Sequence, residues 1–302
     1  MPPHRLPAFL TASLAGLFLC AGGAHAAPLE LPPLSDPPGR THLPGKVIWA
    51  DLVTPDLAAA EAFYSGLFGW TFRDTHSGDT NYAVALVNGR PIAGIVQRPI
   101  PAGEQHQPHW LTFVAVADVD RATRLAVKDG AKELAKPTTY KGRGRQAVLS
   151  GPDGAVFAIL ASASGDPGDY LAEPGAWIWS ALLTSDPDTA AKFYQSVFGY
   201  DLFDLPSTDG LEHVVLSSQD YARAGINSLP KDARHRHAHW LNFVRVADTD
   251  AAVAKAVTLG GRVLVEPRVD RNGGKIALLA DPAGAPFGIM EWTSSDTQTE
   301  PK

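Results

Sequence analysis

The chain has 302 residues, 45% of them hydrophobic and 19% charged, with a formal net charge of -6. That mix suits a globular protein long enough for two compact domains. A mildly acidic chain argues against a nucleic-acid footprint and against docking on an anionic membrane.

The first 26 residues read as a secretory leader. Arg5 supplies positive charge, an apolar run follows through Leu14, Leu17, Phe18 and Leu19, and Ala24-His25-Ala26 has the small-x-small cleavage pattern. Export to the periplasm or medium is expected, with Ala27 as the new N-terminus. The apolar run falls short of the ~20 residues of a membrane helix, and no later run is long enough either, so no membrane span is expected. Cys20 is the sole cysteine, and Leu19 stands before it where lipoprotein acylation wants a small residue. Cys20 is therefore read as part of the leader, not an anchor. The mature chain then lacks disulfides, thiolate metal sites and cysteine nucleophiles. Residues 27–46 carry Pro28, Pro32, Pro33, Pro37, Pro38 and Pro44. So much proline supports neither a ladder nor a helix, and an extended tether over the surface is predicted.

An internal repeat organises the rest. Trp49 matches Trp179, Asp56 matches Asp186, Phe63-Tyr64 matches Phe193-Tyr194, and His109-Trp110 matches His239-Trp240, all at a spacing of 130. Ala93-Gly94-Ile95 and Ala224-Gly225-Ile226 slip by one. A period this long means duplicated domains, at 47–161 and 176–292, with a Gly/Ser/Asp/Pro linker at 162–175 and a polar tail at 293–302. Within each copy a strand from Val47 leads to Asp56, placed to cap a helix. Ala60, Phe63, Tyr64, Leu67 and Phe68 form one apolar stripe, and Gly69 suits a left-handed stop. Strands follow around Tyr82–Val87 and Ile92–Gln97. The pattern then restarts: a strand from Trp110, a helix capped by Asp118 or Asp120, and strands joined by Gly151-Pro152-Asp153-Gly154. Gly142-Arg143-Gly144-Arg145 reads as a short solvated basic turn.

The runs Trp49-Ala-Asp-Leu-Val-Thr-Pro-Asp56, Phe63-Tyr64 and Phe68-Gly69-Trp70, with their second-copy counterparts and closing turns, resemble the vicinal oxygen chelate superfamily of glyoxalases, bleomycin-resistance proteins and extradiol dioxygenases. The resemblance implies an α+β fold of tandem glyoxalase-like domains. Each would consist of two βαβββ modules that curl one sheet into a cup holding a divalent metal and substrate. It also implies where metal ligands would sit. The first-strand positions are Trp49, Leu111, Trp179 and Leu241; the last-strand positions are near Gly94, Ala158, Gly225 and Gly288. None carries a side-chain lone pair, whereas a catalytic divalent cation wants about three His or carboxylate ligands. No metal or other cofactor is predicted on this reading.

Trp49, Asp51, His109, Trp179 and His239 are the candidate pocket residues. Strand alternation puts Asp51 on the face of Trp49 and His109 on the face of Leu111. Asp51 is costly to bury alone, so it faces solvent or pairs with Arg143 or Arg145. The tryptophans fill the cups as core or stack a planar ligand. The recurring histidines pin a strand entrance or act as a base. His235, His237 and His239 form either a polar lead-in or an opportunistic chelate. The expected function is binding of a small organic molecule in a metal-free cup. The alternatives are a divalent-metal lyase or dioxygenase with displaced ligands such as Asp51, His109 and His239, and a periplasmic interaction protein that uses the proline-rich arm. Oligomeric state is open.

Overall fold

The computed structural model describes residues 30–77, 80–99, 108–206, 213–229, 238–270 and 273–292. The leader, Cys20, His235, His237 and the polar tail lie outside them. Four modules follow one another. The first is β1 (Val47–Thr54), α1 (Leu57–Phe68), β2 (Thr71–Ser77), β3 (Thr80–Val87) and β4 (Arg90–Gln97). The second is β5 (His109–Ala115), α2 (Val119–Lys128), β6 (Lys132–Tyr140), β7 (Gly144–Ser150) and β8 (Val156–Ser162). The third is β9 (Trp177–Thr184), α3 (Pro187–Phe198), β10 (Asp201–Leu205), β11 (His213–Ser218) and β12 (Tyr221–Ser228). The fourth is β13 (His239–Val246), α4 (Thr249–Thr258), β14 (Arg262–Val269), β15 (Lys275–Ala280) and β16 (Pro286–Glu291).

Local chemistry explains the helices. Asp56, Asp118, Asp186 and Asp248 each accept a hydrogen bond from the backbone N–H three residues on, at 2.9–3.1 Å. Such a cap contributes about 1 kcal/mol. Asp118, not Asp120, caps α2; Asp120 instead pairs with Arg145. Gly69 and Gly199 close α1 and α3 at φ 74° and 71°, where a side chain would be strained.

Each pair of modules shares one eight-stranded sheet, in the orders β2-β3-β4-β1-β5-β8-β7-β6 and β10-β11-β12-β9-β13-β16-β15-β14. The modules join through antiparallel central pairs, β1 with β5 and β9 with β13. Strand alternation then gives each sheet two unlike faces. Ala50, Leu52, Ala85, Ala93 and Ile95 pack under α1. Trp49, Val53, Val84, Leu111 and Phe113 face the other way, into cup 1. The corresponding face of the second sheet, cup 2, carries Ala181, Leu241, Phe243 and Met290.

The two domains are not independent beads. Module one shares a core with module four: Phe63, Tyr64 and Leu67 of α1 cluster with Ala256, Leu279 and Phe287. Modules two and three do the same, with Ala122, Ala126 and Phe157 against Ala190, Phe193 and Tyr194. The repeated Phe-Tyr pair therefore belongs to the interdomain core. Tyr64 accepts a hydrogen bond from Trp110 at 3.0 Å and donates to Asp281 of the other domain at 3.3 Å. Tyr194 likewise accepts from Trp240 at 3.0 Å. Thr112 and Asn242, equivalent strand positions in the two copies, bond at the centre. The helix-bearing faces of the two sheets thus share cores across the domain boundary, and each cup lies on the opposite face of its sheet.

Candidate functional site

Cup 1 is built around a buried ion pair. Asp51 and Arg143 have side chains 2% and 0% exposed, with 3.9 Å between Oδ2 and Nη1. Asp51 Oδ1 accepts from Trp49 Nε1 and from Tyr82 Oη, each at 2.7 Å. Arg143 Nη2 donates to Tyr82 Oη at 2.7 Å, and its guanidinium lies 4.6 Å from the Trp49 ring. Burial pushes the Tyr82 phenol up, so it stays a proton donor to Asp51.

Arg143 corrects the expectation of a solvated turn. Gly142 and Gly144 take positive φ, 86° and 117°, and fold the β6–β7 turn back into the cup. Both must be small: a Cβ at Gly144 would meet Ala161 O at 2.1 Å, and one at Gly142 would meet Leu31 O at 2.5 Å. Arg145, the other base considered for Asp51, points away and pairs with Asp120 at 2.7 Å.

The proline-rich arm also departs from expectation. It forms no ladder, as its composition requires. It does not merely cross the surface, because Leu31 and Leu34 sink to 2% and 1% exposure inside cup 1. Arg143 Nε donates to Pro32 O at 2.9 Å. The linker after β8 clamps the arm from outside, with Leu34 N donating to Ser164 Oγ and Leu43 N to Asp166 Oδ2.

Cup 2 lacks these parts. Ala181 stands for Asp51, Gly273 for Arg143 and His213 for Tyr82. Among the described residues no segment equivalent to the arm enters it. Phe203 shares a face with Ala181 through the register Phe203–Val215–Gly225–Ala181, yet is 56% exposed. His213 Nδ1 and Asn227 Oδ1 are 2.8 Å apart on the same face as Leu183.

A cleft of about 860 Å³ opens where the lower end of cup 2 meets the other domain. Its walls are the starts of β1, β9 and β12, linker residues 167–172, and the end of β16. Trp177, Trp179, Tyr170, Tyr221 and Trp292 line it. Its cations are already engaged. Lys46 Nζ bonds Asp169 at 2.9 Å and the carbonyls of Pro167 and Gly168 at 2.8 and 2.6 Å. Arg223 Nη1 bonds Asp169 at 2.7 Å. Burial holds the Lys46 ammonium below its ordinary pKa. These pairs brace the linker wall, and the same cations lie over the Tyr170 and Tyr221 rings, Lys46 at 6.0 Å and Arg223 at 5.1 Å.

The structure thus scatters the sequence candidates. Trp49 and Asp51 meet in cup 1. His109 lies on the same sheet opposite Val53, one row beyond Asp51 and Leu111. His239 belongs to cup 2, opposite Leu183, whereas Trp179 lies opposite Phe243. Four residues of strand separate those rows, roughly 13 Å. Tyr82, Leu31 and Leu34 were missed. The only local trace of Leu31 and Leu34 is two leucines among prolines.

The family's ligand positions do not fit a chelated cation. A Cβ at Gly94 would lie 1.8 Å from Tyr82 Oη and 2.1 Å from Asp51 Oδ1. A Cβ at Gly288 would strike the Phe243 ring at 2.2 Å, and one at Gly225 would rest 3.4 Å from Trp179 Nε1. The space a ligating carboxylate needs is filled by neighbouring side chains. Among the described residues no three His, Cys, Asp or Glu side chains converge.

Residues 46–159 match the family model of the Glyoxalase/Bleomycin resistance protein/Dioxygenase superfamily, and residues 179–290 match that of the Glyoxalase-like domain. The chain is 33% identical to CFP32 of Mycobacterium tuberculosis over 245 residues, covering 80% of this chain and 93% of the relative. It is 34% identical to the anthracycline biosynthesis protein DauV of Streptomyces sp. (strain C5) over 260 residues, covering 82% and 94%. In fold it is similar to the Mn(II)-bound glyoxalase from Novosphingobium aromaticivorans, at TM-score 0.58, 16% identity and 82% coverage of both chains. The 2,3-dioxygenase LapB from Pseudomonas sp. KL28 also has TM-score 0.58, at 15% identity, covering 86% of this chain and 97% of that one. With two family models in tandem and relatives matched over four-fifths of its length, this chain belongs to the glyoxalase/bleomycin resistance/dioxygenase superfamily.

Proposed function

We propose that this protein binds a small planar organic molecule, without chelating a divalent cation, in the aromatic cleft at the lower end of cup 2. The observation that carries the reading is the cleft itself: about 860 Å³, with Trp177, Trp179, Trp292, Tyr170 and Tyr221 among its lining residues. That volume is in the range of small-molecule sites, and aromatic walls favour a flat apolar ligand. The similarity to an anthracycline biosynthesis protein supports a ring-bearing ligand. The glycines and aromatics at the family's ligand positions support metal independence. A metalloenzyme with displaced ligands such as Asp51, His109 and His239 finds less support. Asp51 is committed to Arg143, and the histidines belong to different cups.

Titration with an anthracycline, followed by tryptophan fluorescence and calorimetry, tests the ligand. Saturable binding is expected, weakened about tenfold or more by Trp179→Ala, as for a central aromatic anchor. Mn(II) or Zn(II) should leave the melting temperature unchanged, and EDTA should not alter ligand affinity. A stoichiometric divalent cation retained through purification without a His tag would overturn metal independence. We also propose export, on the leader pattern of residues 1–26. Mass analysis of protein recovered from the native host should show a chain beginning at Ala27.

A further inference from the structure

Cup 1 treats its own arm as a ligand. Residues 31–34 pair with no strand. They are held by two leucine side chains, by the Pro32 carbonyl on the Arg143 guanidinium, and by the Leu34 N–H on Ser164 Oγ. That is how a pocket grips a bound peptide, not how a sheet adds an edge. The pocket is preorganised without the arm: Asp51, Tyr82 and Trp49 fix Arg143 from the sheet side. The arm also leaves hydrogen-bonding capacity unused. Among the described residues, Arg143 Nη1 and both amide atoms of the buried Gln146 have no hydrogen-bond partner. Gln146 shares the cup face with Val148, two residues along β7. Buried donors and acceptors of this kind usually have partners, and here they point to a further acceptor and donor on an incoming chain.

We propose that cup 1 is a binding site for an extended aliphatic peptide that presents a carbonyl oxygen to Arg143, and that Leu31-Pro32-Pro33-Leu34 is its resident, exchangeable occupant. Residues 36–42, just beyond, are exposed and tie the occupant to the linker. An arm that can leave also frees the linker wall of the aromatic cleft. Thr41 O accepts from Asp166 N, and Lys46 holds Pro167 and Gly168.

The test inserts a protease site in the exposed 36–42 segment of the full chain. After folding and cleavage, the protein is offered a fluorescent synthetic peptide spanning residues 28–36. The expected result is displacement of the cleaved arm by the labelled peptide, saturable and one-to-one, with a change in Trp49 emission. A peptide with both Leu31 and Leu34 changed to Asp should bind at least tenfold more weakly, since two apolar anchors are lost. Arg143→Lys, which keeps the charge and loses the Nε donor, should also weaken binding several-fold. The proposal is overturned if the cleaved chain unfolds as the fragment leaves, because the arm is then ordinary core. It is overturned equally if the labelled peptide fails to bind at millimolar concentration, or binds as well after the Leu→Asp changes. Ligand binding in the aromatic cleft is measured separately, so failure of one site leaves the other standing.

Discussion

Arg143→Ala should destabilise the protein by about 3–5 kcal/mol in chemical denaturation, the range for removing one partner of a buried ion pair. The mutation leaves Asp51 buried and charged, with donors only from Trp49 and Tyr82. It also frees Pro32 O from its hydrogen bond and removes the cation stacked on Trp49. Asp51→Ala alone should cost a similar amount, because the guanidinium then loses its counter-charge. The double variant Asp51→Ala/Arg143→Met should recover much of the loss, since a buried pair replaced by apolar groups of similar volume is often neutral. A double-mutant cycle measures the coupling. If the two single losses simply add, the pair is not the keystone of cup 1.

Leu31→Ala and Leu34→Ala should each lower stability by about 2 kcal/mol, the low end for truncating a buried leucine. The low end is expected because the arm joins no sheet and can undock locally while the sheet stays folded. The double variant should therefore level off at the free energy of docking the arm. Hydrogen exchange should show residues 30–35 losing protection while β1 and β5 keep theirs. A double loss equal to the sum, with protection lost across the whole sheet, would mean the arm cannot come away without global unfolding.

The features legible in the chain were those decided by neighbours in sequence. Each capping aspartate bonds an N–H three residues away, so Asp56 and Asp186 could be read from spacing, whereas Asp118 was one of two candidates with Asp120. Gly69 and Gly199 mark helix ends because only the local φ matters there. The 130-residue repeat announced two like domains, and alternation along β1 set Trp49 and Asp51 on one face.

The contents of each cup could not be read that way. Asp51 meets Arg143 across 92 positions of chain, and Arg143 meets Pro32 across 111. A short glycine-flanked turn looks solvated until the curl of the sheet carries it inward. The same holds for the Phe-Tyr pairs, whose burial required a second domain laid against the first. Local hydrogen bonds and periodicity specify elements and faces, because their energies depend on a few adjacent residues. Which face is filled, and by what, depends on surfaces that meet only after the chain has closed on itself. Two copies with the same pattern thus became one cup sealed over an ion pair and another bordered by an aromatic cleft.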